Sequence, residues 1–135
     1  MPLSGRDVAA YVLAKMGCLH PFTLSRILAL ADLKSLEERG ERLTQGLTYV
    51  AGPGVFYIEE LHSIIDGDEC FVKHEGDPKA GRPGCIEYQC EPPRLSEEEK
   101  RMLDDAIEQA KSLSMDELNR LVTGHKLYGR LTGGE

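Results

Sequence analysis

Hydrophobic positions recur along this chain with a period that changes from segment to segment, and each change marks an element. Val8, Tyr11, Val12 and Met16 follow the three-to-four spacing of a helix with one buried stripe. Ser4 and Asp7 resemble a capping box ahead of it, with Leu3 and Val8 placed as a hydrophobic staple and Gly17 as its stop. A second helix opens at Pro21, a residue suited to a first helical turn, and carries Leu24, Ile27, Leu28 and Ala31, with Phe22 and Leu30 widening the stripe. The polar run Lys34–Arg42 contains Leu36, predicting a further short helix that Gly40 interrupts or ends.

The middle of the chain, Leu47–Ile65, reads as the organising stretch. Leu47, Tyr49 and Ala51 alternate with Thr48 and Val50, which predicts a short strand. Gly52-Pro53-Gly54 stops it, because Pro53 has no N–H to donate and glycine admits backbone angles that other residues avoid. Val55, Ile58, Leu61, His62 and Ile65 then recur at helical spacing, so the reading is strand, corner, amphipathic helix. Asp66-Gly67-Asp68 closes that helix.

Two strands follow, CFVKHEG and GCIEYQC, around the Gly/Pro loop DPKAGRP. Cys70, Val72 and His74 share one face of the first, and Ile86, Tyr88 and Cys90 one face of the second. An antiparallel register pairing Val72 with Tyr88 also sets Cys70 opposite Cys90 and His74 opposite Ile86, which puts mostly apolar partners together. After Pro92-Pro93, Ser96 with Glu99 and Ser114 with Glu117 are capping boxes for two helices. Leu103, Ala106, Ile107 and Ala110 line the first; Leu118, Leu121 and Val122 line the second, with Gly124 at its end. The tail 132–135 is expected to fray.

These elements predict a mostly helical α+β fold with a small antiparallel sheet or hairpin and flanking helices. Residues 1–135 form one domain: 1–66 hold the N-terminal helices and strand–corner–helix, 69–91 the hairpin, and 95–127 the C-terminal helical pair. A winged-helix-like arrangement is the variant reading, with the loop DPKAGRPG as the wing.

Composition narrows the function classes. At 135 residues the chain can bury one core, and no apolar stretch approaches a membrane span. The N-terminus lacks a basic-then-apolar leader pattern, so the cytoplasm is the expected compartment. The net charge is −7, from 16 Lys+Arg against 23 Asp+Glu, which disfavours broad nucleic-acid affinity and suits a protein partner. On the winged-helix reading Lys79 and Arg82 would touch DNA phosphates, but the recognition helix VFYIEELHSII carries Glu59 and Glu60 and no basic residue.

No catalytic set converges. The cysteines are Cys18, Cys70, Cys85 and Cys90. The first reading is reduced thiols packed as small hydrophobes. The second is a Cys70–Cys90 disulfide, favoured by the register above and by an oxidising or hyperthermophilic setting. The third is zinc held by Cys70, His74, Cys85 and Cys90, whose spacing departs from the close Cys pairs of structural sites. Cys18 with His20 could sketch a nucleophile and base, but no third group orients them. His62 reads as a packed or boundary residue, and Gly52-Pro53-Gly54 lacks the lysine and hydroxyl residue of a phosphate loop. No metal or other cofactor is expected.

Three segments together carry a resemblance: DVAAYVLAKMG with HPFTLSRILALAD, then YVAGPGVFYIEELHSII, then LSEEEKRMLDDAIEQAKSLSMDELNRLV. Their order resembles the Panacea domain family of SocA-like antitoxins and related phage-associated proteins. That family has two opening helices, a strand, a Tyr-Gly-Pro-Val corner and helix, and two capped C-terminal helices. Here Val50-Ala51 separates Tyr49 from Gly52, Gly54 is added, Tyr128 stands where the family has Trp, and the cysteine hairpin is additional. The resemblance implies a non-enzymatic protein that binds a toxin or delivers it to a protease. It makes Tyr49, Gly52, Pro53, Val55 and Tyr57 the contact candidates, with core shaping as the competing role for the same five. A DNA-binding regulator, acting as a dimer, is the alternative function.

Overall fold

A computed structural model describes residues 3–53, 55–81 and 83–132. Its axis is one long helix. α2 (Pro21–Arg39) is buried almost continuously from Leu24 to Leu33, because α1 (Gly5–Met16), the strand β4 (Val55–Ile58) and the later helices α4 (Glu97–Lys111) and α5 (Met115–Thr123) all pack on it. A helix covered on every side has little use for a polar face, and LALADL supplies none except Asp32. The organising element is therefore α2 and not Leu47–Ile65. No separate helix forms over residues 34–42. Between Lys34 and Arg39 nothing breaks the backbone, so α2 runs on to Gly40, whose φ of 78° lets it close the helix by donating its N–H to the Leu36 carbonyl.

Local signals place the other helices. Ser4 accepts the Asp7 N–H at 3.2 Å to start α1, and the Gly17 N–H reaches the Leu13 carbonyl to end it. Reciprocal side-chain caps at Ser96/Glu99 and Ser114/Glu117 open α4 and α5. A four-residue helix α6 (Tyr128–Leu131) follows, and Arg130 donates to the Gly40 carbonyl at 3.0 Å, tying the end of the chain to the end of α2. The outer tail, residues 133–135, lies outside the described residues.

The middle of the chain departs from the strand–corner–helix reading. β3 (Tyr49–Gly52) pairs with β4 in an antiparallel hairpin, Tyr49 opposite Ile58 and Gly52 opposite Val55. The helix starts only at Leu61 and lasts five residues, as α3 (Leu61–Ile65). Val55-Phe56-Tyr57-Ile58 is a β-branched and aromatic run that alternates exposed and buried, so period two wins over the helical spacing of Val55, Ile58 and Leu61. Pro53 sits in the hairpin's turn; Gly54, the last residue of the proposed corner, lies outside the described residues. Loss of this helix also removes the recognition helix of the winged-helix variant.

β5 (Phe71–His74) and β6 (Cys85–Tyr88) form the second hairpin, one residue out of the expected register: Phe71 faces Tyr88 and Lys73 faces Ile86. A one-residue slip exchanges the two faces of a strand. Phe71 carries more apolar area than Val72, and turning it inward sets its ring 5.1 Å from that of Tyr88. A third pair is parallel: β1 (Leu3–Ser4) lies beside β2 (Thr44–Gln45). The helices and two-stranded sheets make a small α+β fold. One buried cluster runs from Val8 to Leu131. No helix among the described residues is long and apolar enough to cross a membrane.

Candidate partner-docking face

The first turn of α2 and the outer side of β4 build one continuous surface. His20 caps α2: its Nδ1 accepts the Phe22 N–H at 3.0 Å. Pro21 occupies the first helical position, where a missing N–H costs no hydrogen bond. The cap holds the Phe22 ring half-exposed, 4.8 Å from the His20 ring and 6.4 Å from that of Tyr57. Cap geometry needs a lone pair on Nδ1. Burial, and then the positive charge of Arg26, push the His20 pKa down and keep that lone pair free.

β4 is fastened to α2 by Ser25, whose hydroxyl donates to the Pro21 carbonyl at 2.7 Å and accepts the Ile58 N–H at 3.1 Å. That clamp orients the strand: Phe56 and Ile58 point inward, Val55 and Tyr57 outward. Arg26, buried by the same packing, lies over the Phe56 ring at 5.7 Å and donates Nε to Asn119 Oδ1 at 3.0 Å. Across α2, Met115 opens α5 with its sulfur 3.3 Å from the Thr23 hydroxyl, which donates to it.

The large hydrophobic side chains that stand most exposed among the described residues are Val55 (36%), Tyr57 (37%) and Met115 (44%). Val55 and Tyr57 share the outward side of β4, and Met115 meets the first turn of α2 at Thr23. Beneath Tyr57 a cavity of about 410 Å³ lies among His20, Phe22, Leu61 and His62. His20, Pro21 and His62 are shared with a second cavity of about 240 Å³, whose far wall is Cys85 and Ile86 of β6. The two form a groove running from β4 to the β5–β6 hairpin. Glu59 continues the outward side of β4 and lines the larger cavity, whereas Lys73, His74 and Glu75 line the smaller one, so the charge along the groove is mixed. Glu60 is engaged instead: burial would raise its pKa, but hydrogen bonds from the Thr48 hydroxyl and N–H, both 2.6 Å, outweigh that and hold the carboxyl below its usual range.

The five contact candidates divide. Tyr57 lines the groove and Val55 shares its outward side of β4, while Gly52 and Pro53 are exposed at the hairpin's tip. Tyr49 is a core residue, 4% exposed, its hydroxyl donating to Asp32 Oδ2 at 2.7 Å. Burial first, and then the Asp32 charge, push its pKa far up, so it remains a donor. This buried centre was not legible in advance. Asp32 Oδ2 also accepts from the Thr44 hydroxyl at 2.7 Å and from Arg42, while Oδ1 accepts the Thr44 N–H at 2.9 Å. The available signal was a carboxylate inside the apolar run of α2. Phe22, His20 and Met115 were likewise unassigned to a surface: Phe22 counted as stripe, and Met115 carried no periodic mark.

The cysteines correct the first reading, in which all were reduced. Cys70 is joined to Cys90, and Cys18 to Cys85. The strand register is not what brings Cys70 to Cys90, because Gln89 bonds the Cys70 carbonyl; β6 ends at Tyr88, and past it the chain is free of alternation. Pairing removes the thiolates that zinc would need and the free nucleophile sketched at Cys18, whose neighbour His20 is occupied as a cap. Among the described residues no three His, Cys, Asp or Glu side chains converge as metal ligands. Lys79 is exposed on a 3-10 turn over Pro78–Ala80, in the loop of the β5–β6 hairpin. Arg82 lies outside the described residues.

Known protein families, curated proteins and solved structures offer no match to this chain.

Proposed function

We propose that this chain is a protein-interaction module, antitoxin-like in action, which binds a protein partner through the face formed by the start of α2, the outer side of β4 and the start of α5, and does no chemistry of its own. The observation that carries the reading is the pair Phe22 and Tyr57 lining one groove, with Val55 on the same outward side of β4 and Met115 against Thr23 in the first turn of α2. Isolated exposed apolar side chains need no explanation, but a contiguous set beside a groove marks a contact surface. Tyr57 has the composition of an anchor: a large ring with a polar tip, few rotatable bonds, and a pocket beneath it. Glu59, at the Tyr57 end of the groove, favours a partner whose apolar anchor is flanked by Lys or Arg there. The resemblance of YVAGPGVFY to the antitoxin corner makes a toxic protein the partner of choice.

Affinity capture with the wild-type chain, run beside Tyr57→Glu and Val55→Asp variants that keep their circular dichroism and melting temperature, tests this. One stoichiometric protein should be retained by the wild type, weakened roughly 30-fold or more by Tyr57→Glu, and its toxicity on co-expression should be relieved only by the wild type. Retention that is indifferent to both substitutions, or recovery of the chain alone, overturns the reading. The DNA-binding alternative draws on the exposed Lys79. It would show as a mobility shift at low salt that falls steeply with ionic strength and is lost in Lys79→Glu.

A further inference from the structure

We propose that the Cys18–Cys85 disulfide is a reducible site that sets the width of the docking groove, so that a dithiol reductant converts the groove from a fixed to a loosened state. The inference rests on the docking reading for its biological meaning, but not for its test.

Three observations converge on this bond. First, it forms a wall of the groove: Cys85 and Ile86 face His20 and His62 across the smaller cavity. Second, it ties the connection that follows α1 to β6, a strand on which α1 itself packs. Cys18 lies in the four-residue connection between α1 and α2, and Cys85 begins β6, 67 residues later. Beside the bond, the connection meets β6 through one two-hydrogen-bond bridge, Leu19 N–H to the Ile86 carbonyl at 3.0 Å and Ile86 N–H to the Leu19 carbonyl at 2.7 Å. Third, the same connection delivers His20, whose ring caps α2 and touches Phe22. Movement of Cys18 therefore reaches the apolar patch through two residues. The second disulfide differs in kind. Cys70 and Cys90 are 20 residues apart and close the base of the hairpin on itself, without linking it to α2.

Cys18 is exposed, so a thiolate can reach its sulfur. The exchange is balanced. A reductant thiolate attacks one sulfur and breaks the S–S bond. The reductant's second thiol then closes its own disulfide. Two electrons and two protons thereby pass to Cys18 and Cys85, which become thiols. Without the covalent tie, the connection is held to β6 by the two Leu19–Ile86 hydrogen bonds and by the packing of the partly buried Leu19 and the buried Ile86, noncovalent contacts that can open locally.

Hydrogen exchange of the full chain, with thiols alkylated and mapped by mass at each step of a dithiothreitol titration, reads the proposal directly. Once Cys18 and Cys85 become alkylatable, the Leu19 and Ile86 amides should exchange on the order of tenfold faster or more, and the Phe22 amide should follow. Amides of α4 around Leu103 should keep their rates. The double variant Cys18→Ser/Cys85→Ser should reproduce the change without reductant, and Cys70→Ser/Cys90→Ser should not. Where a variant fails to fold, the titration of the wild-type chain stands alone. Unchanged Leu19 and Ile86 rates after reduction overturn the proposal, as does the absence of any mass gain on reduction or equal acceleration in both double variants. No partner is needed, so the two readings fail separately. A redox-sensitive groove with no retained protein removes the docking function alone, whereas a partner bound at a groove indifferent to reduction removes the gate alone.

Discussion

Asp32 is the most demanding test of the packing described above. Its carboxylate is fully buried and is the acceptor for Arg42, Thr44 and Tyr49 together. Replacement by alanine leaves the Tyr49 hydroxyl and the Thr44 N–H buried without an acceptor, at about 1–3 kcal/mol each. The Arg42 side chain is 25% exposed and can turn partly to water, so its share is discounted. The two groups together give about 2–6 kcal/mol, a range centred on the usual cost of breaking a buried charged pair from one side, about 3–5 kcal/mol. For a chain of this length it should lower Tm by roughly 10–20 °C. Asparagine does not rescue it, because donors face both carboxylate oxygens and one would meet an NH2 group. Tyr49→Phe alone should cost about 1–2 kcal/mol. In the double variant Asp32→Ala/Tyr49→Phe the hydroxyl that needed the acceptor is gone, so the loss should fall short of the sum of the singles by about 1–2 kcal/mol. Urea unfolding monitored by far-ultraviolet circular dichroism measures all four corners of the cycle. An Asp32→Ala chain within 1 kcal/mol of wild type, or strictly additive singles, would refute the view that this carboxylate is the hub of the interior; the threshold is roughly the error of such extrapolations.

Two further outcomes follow from the caps. The folded-state pKa of His20 lies below its unfolded value, so its contribution is present above about pH 6.5 and is lost as the pH falls through the lowered folded value; in His20→Asn, which keeps a capping acceptor, the Tm should lose this part of its acid dependence, and parallel Tm–pH curves for the two chains would contradict the cap. Gly40→Ala meets no neighbouring atom but forces a side chain to φ near 78°, so it should cost about 1–2 kcal/mol by urea unfolding, and a neutral or stabilising effect would contradict the left-handed closure of α2.

Much of the helical framework can be read from short windows, since its determinants act within a turn. Ser96 and Glu99, or Ser114 and Glu117, satisfy one another's backbone donors wherever the helix is later placed. Gly17 and Gly40 end helices for equally local reasons. Val55–Ile58 satisfies both a helical and a strand period over four residues, and only pairing with Tyr49–Gly52 and the clamp from Ser25 select the strand. The hairpin register turns on whether Phe71 or Val72 faces inward, and the core beyond the strand decides that. The docking candidates were half legible for the same reason: Tyr57 and Tyr49 have the same local character, yet one is turned toward solvent and the other toward a carboxylate 17 residues away. Cys18 and Cys85 carry no mutual signal at a separation of 67 residues. Local hydrogen bonding and side-chain entropy are properties of a segment, whereas the face a segment buries is set by the partner that covers it. The chain alone therefore determined the capped ends of α1, α4 and α5, and the tertiary structure decided that Val55–Ile58 is a strand and which side chains became interior, cross-link or exposed surface.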